Sequence, residues 1–453
     1  MRAPLGSFLV LALAAATPLL GTGTASAASS DLDPTFGTGG EVATAFAGPA
    51  DVGDMELTPH RILVAGAMTP AGGRSKVALA RYRMNGGLDP AFGNGGRVVT
   101  GVAGRNAAGA ALVVLPDGRF VVGVDLRDGN GSVFGLVRYH QDGSIDASFG
   151  NGGRVVEGFG GGRWHLTSLI RQPNGKLVAG GERVKADPTQ GQVVRFAVAR
   201  FAKNGSLDGS FGDGGRVVTT FRTGQEGADL ESSVTDLVID VSGRIVAVGW
   251  TSPDLCRSVW ALARYMPDGS LDPSFGGDGR VSTRFWHINA RAQAVQFGDD
   301  NRLTVAGSNT FTGCGGEAPP DTGTAAVARY LPDGRLDPSF GGDGKVTTTF
   351  LGTQNSDAGY EDLTLLEGGS VVATGSAFSP SADRLLIIVG QYRRGGALNT
   401  AFSDDGRATA AGPLKYTQGV AVSADPDERP IVAGPTRNDQ TGRFLVARFK
   451  ASG

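Results

Sequence analysis

Seven times along the chain the same cassette returns: a turn of the LDP-x-FG type, a short V-x-T strand, a valine-rich strand ending in glycine, and a strand ending in ARY or RF. The turn phenylalanines are Phe36, Phe92, Phe149, Phe211, Phe275, Phe340 and Phe402, so successive units lie 56, 57, 62, 64, 65 and 62 residues apart. Self-similarity at a steady period points to a solenoid or a propeller, in which each unit buries its apolar face only against its neighbours.

The unit reads as all-β. Its apolar runs are short, rich in valine and bounded by Gly, Asp and Asn, as in LVVLPDGRFVVG and LVIDVSGRIVAVG. PDG, NG and SG joints suit hairpins because these residues tolerate positive φ. Four strands per unit and seven units predict a seven-bladed β-propeller of four-stranded antiparallel blades, an arrangement that leaves only short, protected edges. The chain opens with a turn and the strand from Gly40 to Phe46, and its last unit stops after Phe444 to Phe449. The N-terminal strand is therefore expected to pair beside Phe444–Phe449, complete the last blade and close the ring.

One pairing can be read from the repeats themselves. Arg81, Arg138, Arg200, Arg264 and Arg329 stand eight residues before Asp89, Asp146, Asp208, Asp272 and Asp337, and in the sixth unit both partners change together to Gln391 and Asn399. A charged pair exchanged for a neutral one at matching positions indicates that the side chains meet as structural pairs holding the turn. Asp33 has no upstream arginine, and ring closure would assign it Arg448. A circle of ligand-binding charges is the less favoured reading.

Composition narrows the partners. Glycine supplies 73 of 453 residues, about twice the roughly 7% of ordinary proteins, as an array of tight turns requires. Net charge is −2 with no block of one sign, so no footprint for nucleic acid is evident. Arg2, the apolar stretch Phe8 to Leu20 and the small residues Ala25-Ser26-Ala27 form a secretory leader cleaved near Ala27, too short to span a bilayer. The mature chain, Ala28 to Gly453, is expected to be one domain, extracellular, monomeric and not inserted in a membrane. Cys256 and Cys314, each seven residues beyond its unit's strand-ending glycine, are expected to form a disulfide in an exported chain.

The LDPSFGGDGR and LDPSFGGDGK turns, with PDG hairpins and ARY strands, resemble the delta-sixty repeats of secreted bacterial proteins. The resemblance covers Asp31 to Phe449 and implies a β-propeller without implying an activity. The seventh turn, LNTAFSDDGR, departs most from the pattern.

Chemical motifs are sparse. No nucleophile elbow, HExxH helix or Walker loop occurs, and the histidines His60, His140, His165 and His287 are scattered. Trp164-His165 and Trp286-His287 fall where an outer strand passes to the next inner strand, and with Trp250 they are the candidate binding residues, each offering a large ring and a polar handle. Packing between blades is the favoured alternative for them, and Trp260, aligned with Phe134 and Phe196, reads as blade core. Turn residues Asp213, Asp278, Asp343, Asp404 and Asp405 offer oxygens of the kind calcium prefers, but tight turns select the same residues, so no cofactor is expected. The leading functional expectation is a non-enzymatic propeller that binds an extracellular glycan or protein through the loops of one face. The alternatives are a hydrolase or lyase with a site at the central channel, which would need converging acids, and a cell-surface scaffold.

Overall fold

In the computed structural model, residues 31–451 are described apart from 130, 160–161, 189–190, 222–230, 255–256, 287–288, 311–322, 352–356 and 439. The leader, His287, Cys256 and Cys314 therefore lie outside the described residues. Apart from a single 3-10 turn at Glu367–Gly369, the described regular structure is β, and no described helix is long and apolar enough to cross a membrane.

Each unit folds as a meander because its apolar runs are separated by obligatory turns. Ala50–Thr58, Arg61–Met68, Lys76–Arg83 and Arg97–Thr100 form one four-stranded sheet, and Asn106–Val114, Phe120–Asp128, Gly131–Tyr139 and Arg154–Glu157 form another. The same antiparallel order recurs from Arg163–Arg171 to Arg216–Thr219, and again from Glu231–Ile239 to Arg280–Thr283. At the C-terminal end the partner comes from the start of the chain: Glu41 pairs with Ala447, and Thr44 with Phe444.

Packing follows the same neighbour-to-neighbour logic. One apolar cluster joins Leu63, Ala65 and Leu79 of the first unit to Leu112, Val122 and Tyr139 of the second. Another joins Val52, Ile62 and Val64 to Ile431, Phe444 and Val446 of the last unit, so the core continues between the two ends of the chain.

The turn that opens each unit is held by one recurring group of contacts. Arg81, Arg138, Arg200, Arg264, Arg329 and Arg448 donate through Nε to Asp89, Asp146, Asp208, Asp272, Asp337 and Asp33 over 2.6–3.0 Å. Each guanidinium also lies 4.5–5.0 Å from the ring centre of its turn phenylalanine. A second guanidinium N–H reaches into the next unit, as when Arg138 donates to Lys203 O at 3.0 Å and Arg448 to Met84 O at 2.9 Å. In the sixth unit Asn399 Nδ2 donates to Gln391 Oε1 at 2.8 Å.

These aspartates are held below the ordinary carboxylate range. Burial alone would raise Asp33, but hydrogen bonds from Thr35 and the charges of Arg448 and Arg429 outweigh it. Glycine is required where the turn crosses left-handed φ: a Cβ on Gly93 (φ 51°) would stand 2.3 Å from Arg97 O. The divergent seventh turn places Ser403 and Asp404 at φ 49° and 63° instead, a conformation that costs most residues energy. Ser403 Oγ there donates to Asp31.

Candidate functional site

The inner strands of the first six units carry an irregularity at one place. Register shifts fall between Val52 and Asp54, Gly109 and Ala111, Leu166 and Ser168, Val234 and Asp236, Ala292 and Ala294, and Tyr360 and Asp362. A bulge inserts one extra residue and re-aims its neighbours. Here Gly53, Ala110, Thr167, Thr235, Gln293, Glu361 and Val420 come together around a central channel of about 380 Å³.

Five carboxyl groups line this channel: Asp54, Glu56, Asp236, Glu361 and Asp362. Among the described lining residues no Lys, Arg or His accompanies them. The aspartates clasp neighbouring units. Asp54 accepts the N–H of Met55 and, from the next unit, that of Leu112, both at 2.7 Å. Asp236 accepts from Leu237 and Val295 at 2.7 and 2.9 Å and from Ser168 Oγ at 3.0 Å. Asp362 accepts from Leu363 and Val422 at 2.8 and 2.7 Å.

Burial makes these groups reluctant to ionise. It drives Asp54 well above its ordinary value, with the charges of Glu56 and Asp362 adding to the effect and two backbone N–H groups opposing it. Burial raises Glu56 to about 7. It raises Asp236 to about 6 against its N–H donors, and Glu361 to about 7 against a 2.8 Å hydrogen bond from Gln293 and the charge of Arg291. Asp362 reaches about 8 through burial, with the Asp236 and Glu56 charges contributing. Such a set can attract a cation or hold protons near neutral pH.

The residues expected from the sequence to bind a ligand are dispersed. Trp164 is not on a connecting loop. It lies inside the strand Arg163–Arg171 with 2% exposure, its ring 4.6 Å from Phe159 and 6.0 Å from Phe134. The strand begins earlier than its polar flanks suggest because residue 164 pairs with Arg183 across the hairpin. His165 reaches Asp125 of the preceding unit, with Nδ1 3.4 Å from Oδ2, and Asp125 also pairs with Arg127 at 2.6 Å. Trp286 is 88% exposed. Trp250 sits half-buried under the Arg291 guanidinium, 4.4 Å from its ring centre. Trp260 is buried and donates to Ser308 O at 3.2 Å.

The acidic turns use their oxygens locally. Asp278, Asp343 and Asp405 each accept the backbone N–H two residues on, at 2.8–3.0 Å. They also pair with Arg280, Lys345 and Arg407.

Sequence reading missed the channel acids. Their signal was a carboxylate recurring at one place of the inner strand, as Asp54, Asp236 and Asp362 at 12 or 13 residues before the strand-ending Gly66, Gly249 and Gly375. A charge in such a strand is rare unless it has partners.

The family model described as "Domain of unknown function (DUF5122) beta-propeller" matches residues 61–92, 115–149, 172–211, 242–275 and 321–340. The chain is thus all-β and propeller-like, and the matched segments, about a third of it, are similar to the repeats of a β-propeller family of unknown function. No curated protein matches it. Among solved structures, one described as a polysaccharide lyase PL25-Ulvanlyase aligns over 90% of this chain and 96% of its own, with 11% identity and a TM-score of 0.51. A second, bound to -[GlcA(1-4)Rha3S]-, aligns over the same shares with 9% identity and a TM-score of 0.50. An unknown-function protein from Dyadobacter fermentans DSM 18053 covers 91% and is covered over 98%, with 10% identity and a TM-score of 0.41. Likeness at such identity is a likeness of fold.

Proposed function

We propose that the chain is a secreted, seven-bladed β-propeller of four-stranded blades, ring-closed by Glu41–Thr44, that works as a non-enzymatic binding module for an extracellular glycan or protein. The ligand presents a positively charged group, such as an amine, to the mouth of the central channel. The carrying observation is the convergence of Asp54, Glu56, Asp236, Glu361 and Asp362 on one channel without a basic residue among the described lining. A cation seated there stabilises the ionised carboxylates against the burial that raises their pKa values. Fold alone does not assign a role, so the reading rests on these side chains.

The test is calorimetric binding of amine-bearing chitosan oligomers and of a lysine-rich peptide, against fully acetylated chitin oligomers as the uncharged reference. Binding of the lysine-rich peptide, whose amines stay protonated, that tightens from pH 5 to pH 8, or of the chitosan oligomers at acidic pH, lost in either case in Glu361→Gln/Asp362→Asn, supports the reading. Equal binding of charged and acetylated oligomers, or none of any probe, overturns it.

A second reading draws on the same acids. A carboxyl near pKa 7, as at Glu56 and Glu361, is suited to general acid catalysis at neutral pH. On that reading the protein is a hydrolase or lyase acting at the channel. Release of new reducing ends from a polysaccharide panel, abolished by Glu361→Gln, is its mark.

A further inference from the structure

A second cavity, of about 340 Å³, lies away from the channel and is lined by Phe159, Trp164, Arg183, Asp213, Arg216 and Val218. It surrounds a residue that the repeat does not call for. Counting back two residues from each bulge places Trp164 at the same strand position as Ala50, Ala107, Ser232, Ala290 and Ala358. Small side chains suffice there in every one of those units.

The cross-strand partner is equally out of pattern. Arg183 faces Trp164, where the other units carry Met68, Leu126, Thr251, Asn309 and Ala377. Its guanidinium carbon stands 5.9 Å from the indole ring centre. The third unit alone among these has acquired both a tryptophan and a charge at this place.

The tryptophan is buried to 2% exposure, yet its Nε1 has no hydrogen-bond partner among the described residues. A buried indole N–H ordinarily finds an acceptor, and an unmatched one is destabilising. Arg216 lines the same cavity and spends one N–H on Phe159 O. Arg280 and Arg407 make a similar bond one position earlier in the preceding unit, to Thr220 O and Thr349 O. The remaining N–H groups of Arg216 add to the donors. Asp213 supplies an acceptor at the exposed rim, and Glu157 is close enough to Arg216 to feel its charge.

We infer that this cavity is a binding site for an acidic sugar, whose carboxylate meets Arg183 and Arg216 while a ring or carboxylate oxygen accepts the Trp164 N–H. Two guanidinium groups and the indole N–H around one cavity select an oxyanion, Asp213 serves a hydroxyl, and Phe159 with Val218 covers the apolar edge of the ring. The volume falls at the small end of ligand pockets, which suits one pyranose unit rather than a long chain. This site is separate from the acid-lined channel and has the opposite charge preference.

The experiment is a ¹H–¹⁵N titration of the full chain, following the Trp164 indole resonance, with methyl glucuronide as probe and methyl glucoside as the neutral reference. The glucuronide moves the Trp164 signal saturably, and the glucoside binds at least about tenfold more weakly, a difference of about 1.4 kcal/mol. Arg183→Met, which installs the residue of the first unit, removes the response at unchanged melting temperature. Trp164→Phe keeps an aromatic ring, removes the N–H together with part of the indole, and weakens glucuronide binding by calorimetry. Absence of a saturable shift, equal binding of the two sugars, or full binding by both variants overturns the inference.

Discussion

Arg448 Nε donates to Asp33 Oδ2 at 3.0 Å across a sequence separation of 415 residues. The same guanidinium lies 5.0 Å from the Phe36 ring centre and donates to Met84 O at 2.9 Å. One side chain on the last strand thus touches both the opening turn and the first unit. What the internal units do over eight residues, the two ends do over the whole chain.

Removing one member of this pair is expected to cost more than removing both. Breaking a buried pair typically costs about 3–5 kcal/mol because the remaining charge is stranded. Arg429 and Asp425 stand 3.3 Å from Asp33 and 3.7 Å from Arg448, so the lower end of that range applies. Arg448→Gln/Asp33→Asn copies the neutral pair of the sixth unit and should recover part of the loss. A urea double-mutant cycle reads this coupling, and strictly additive costs would show that the two side chains do not depend on each other.

Stability should fall on both sides of an acidic optimum. The channel carboxyls have raised folded-state values, about 6 to 8 for Glu56, Asp236, Glu361 and Asp362. Between about pH 4 and 8 the folded chain therefore keeps protons that the unfolded chain, with ordinary values near 4, has released. Folding stability accordingly declines as pH rises through that window. The turn aspartates Asp33, Asp89, Asp272 and Asp337 are shifted the other way. Their contribution is present above about pH 4 and is lost as pH falls below it. Denaturant midpoints from pH 3 to 8 trace the curve, and Glu361→Gln/Asp362→Asn should flatten its alkaline limb only.

The two tryptophans that share a Trp-His motif should respond very differently to truncation. Trp164 is buried among Phe134 and Phe159, whereas Trp286 is 88% exposed. Trp164→Ala is expected to cost about 3–5 kcal/mol, while Trp286→Ala stays within about 0.5 kcal/mol. Thermal melts of the two single variants separate them. Binding data from the double variant would confuse lost recognition with lost folding.

The contrast marks where sequence reading succeeds and where it stops. A turn that recurs seven times needs its glycines and phenylalanine locally, so Phe36 through Phe402 were visible without coordinates. Arg138 stands at the end of a strand, eight residues before the turn residue Asp146, and that recurring spacing carried the pairing. Asp54 and Leu112 meet across units, through a bulge whose placement depends on how neighbouring inner strands approach each other. Trp164 misled for a related reason: flanked by arginine and histidine it resembles a loop residue, but its cross-strand partner Arg183 fixes it within a sheet. Contacts between neighbouring inner strands depend on registers that the repeat spacing does not state, whereas the pair Asp33–Arg448 between the two ends followed from that spacing.

Closure itself can be weighed against an internal strand. Val42 pairs with Val446, and Val98 holds the same place in its own unit, opposite Leu79. Proline at either position removes a backbone donor and fixes φ near −65°, which a paired strand does not accommodate well. If the N-terminal strand carries the same share of cohesion as an internal outer strand, Val42→Pro and Val98→Pro lower the melting midpoint by similar amounts. Val42→Pro should additionally expose Phe444–Ala447 as an unpaired edge and promote association, since free edges template pairing between chains. Light scattering beside the melt reads both effects. A silent Val42→Pro beside a damaging Val98→Pro would mean that the sheet of the last unit is cohesive without Glu41–Thr44, and that apolar packing of Phe444 and Val446 against Val52 and Val64 is what joins the two ends.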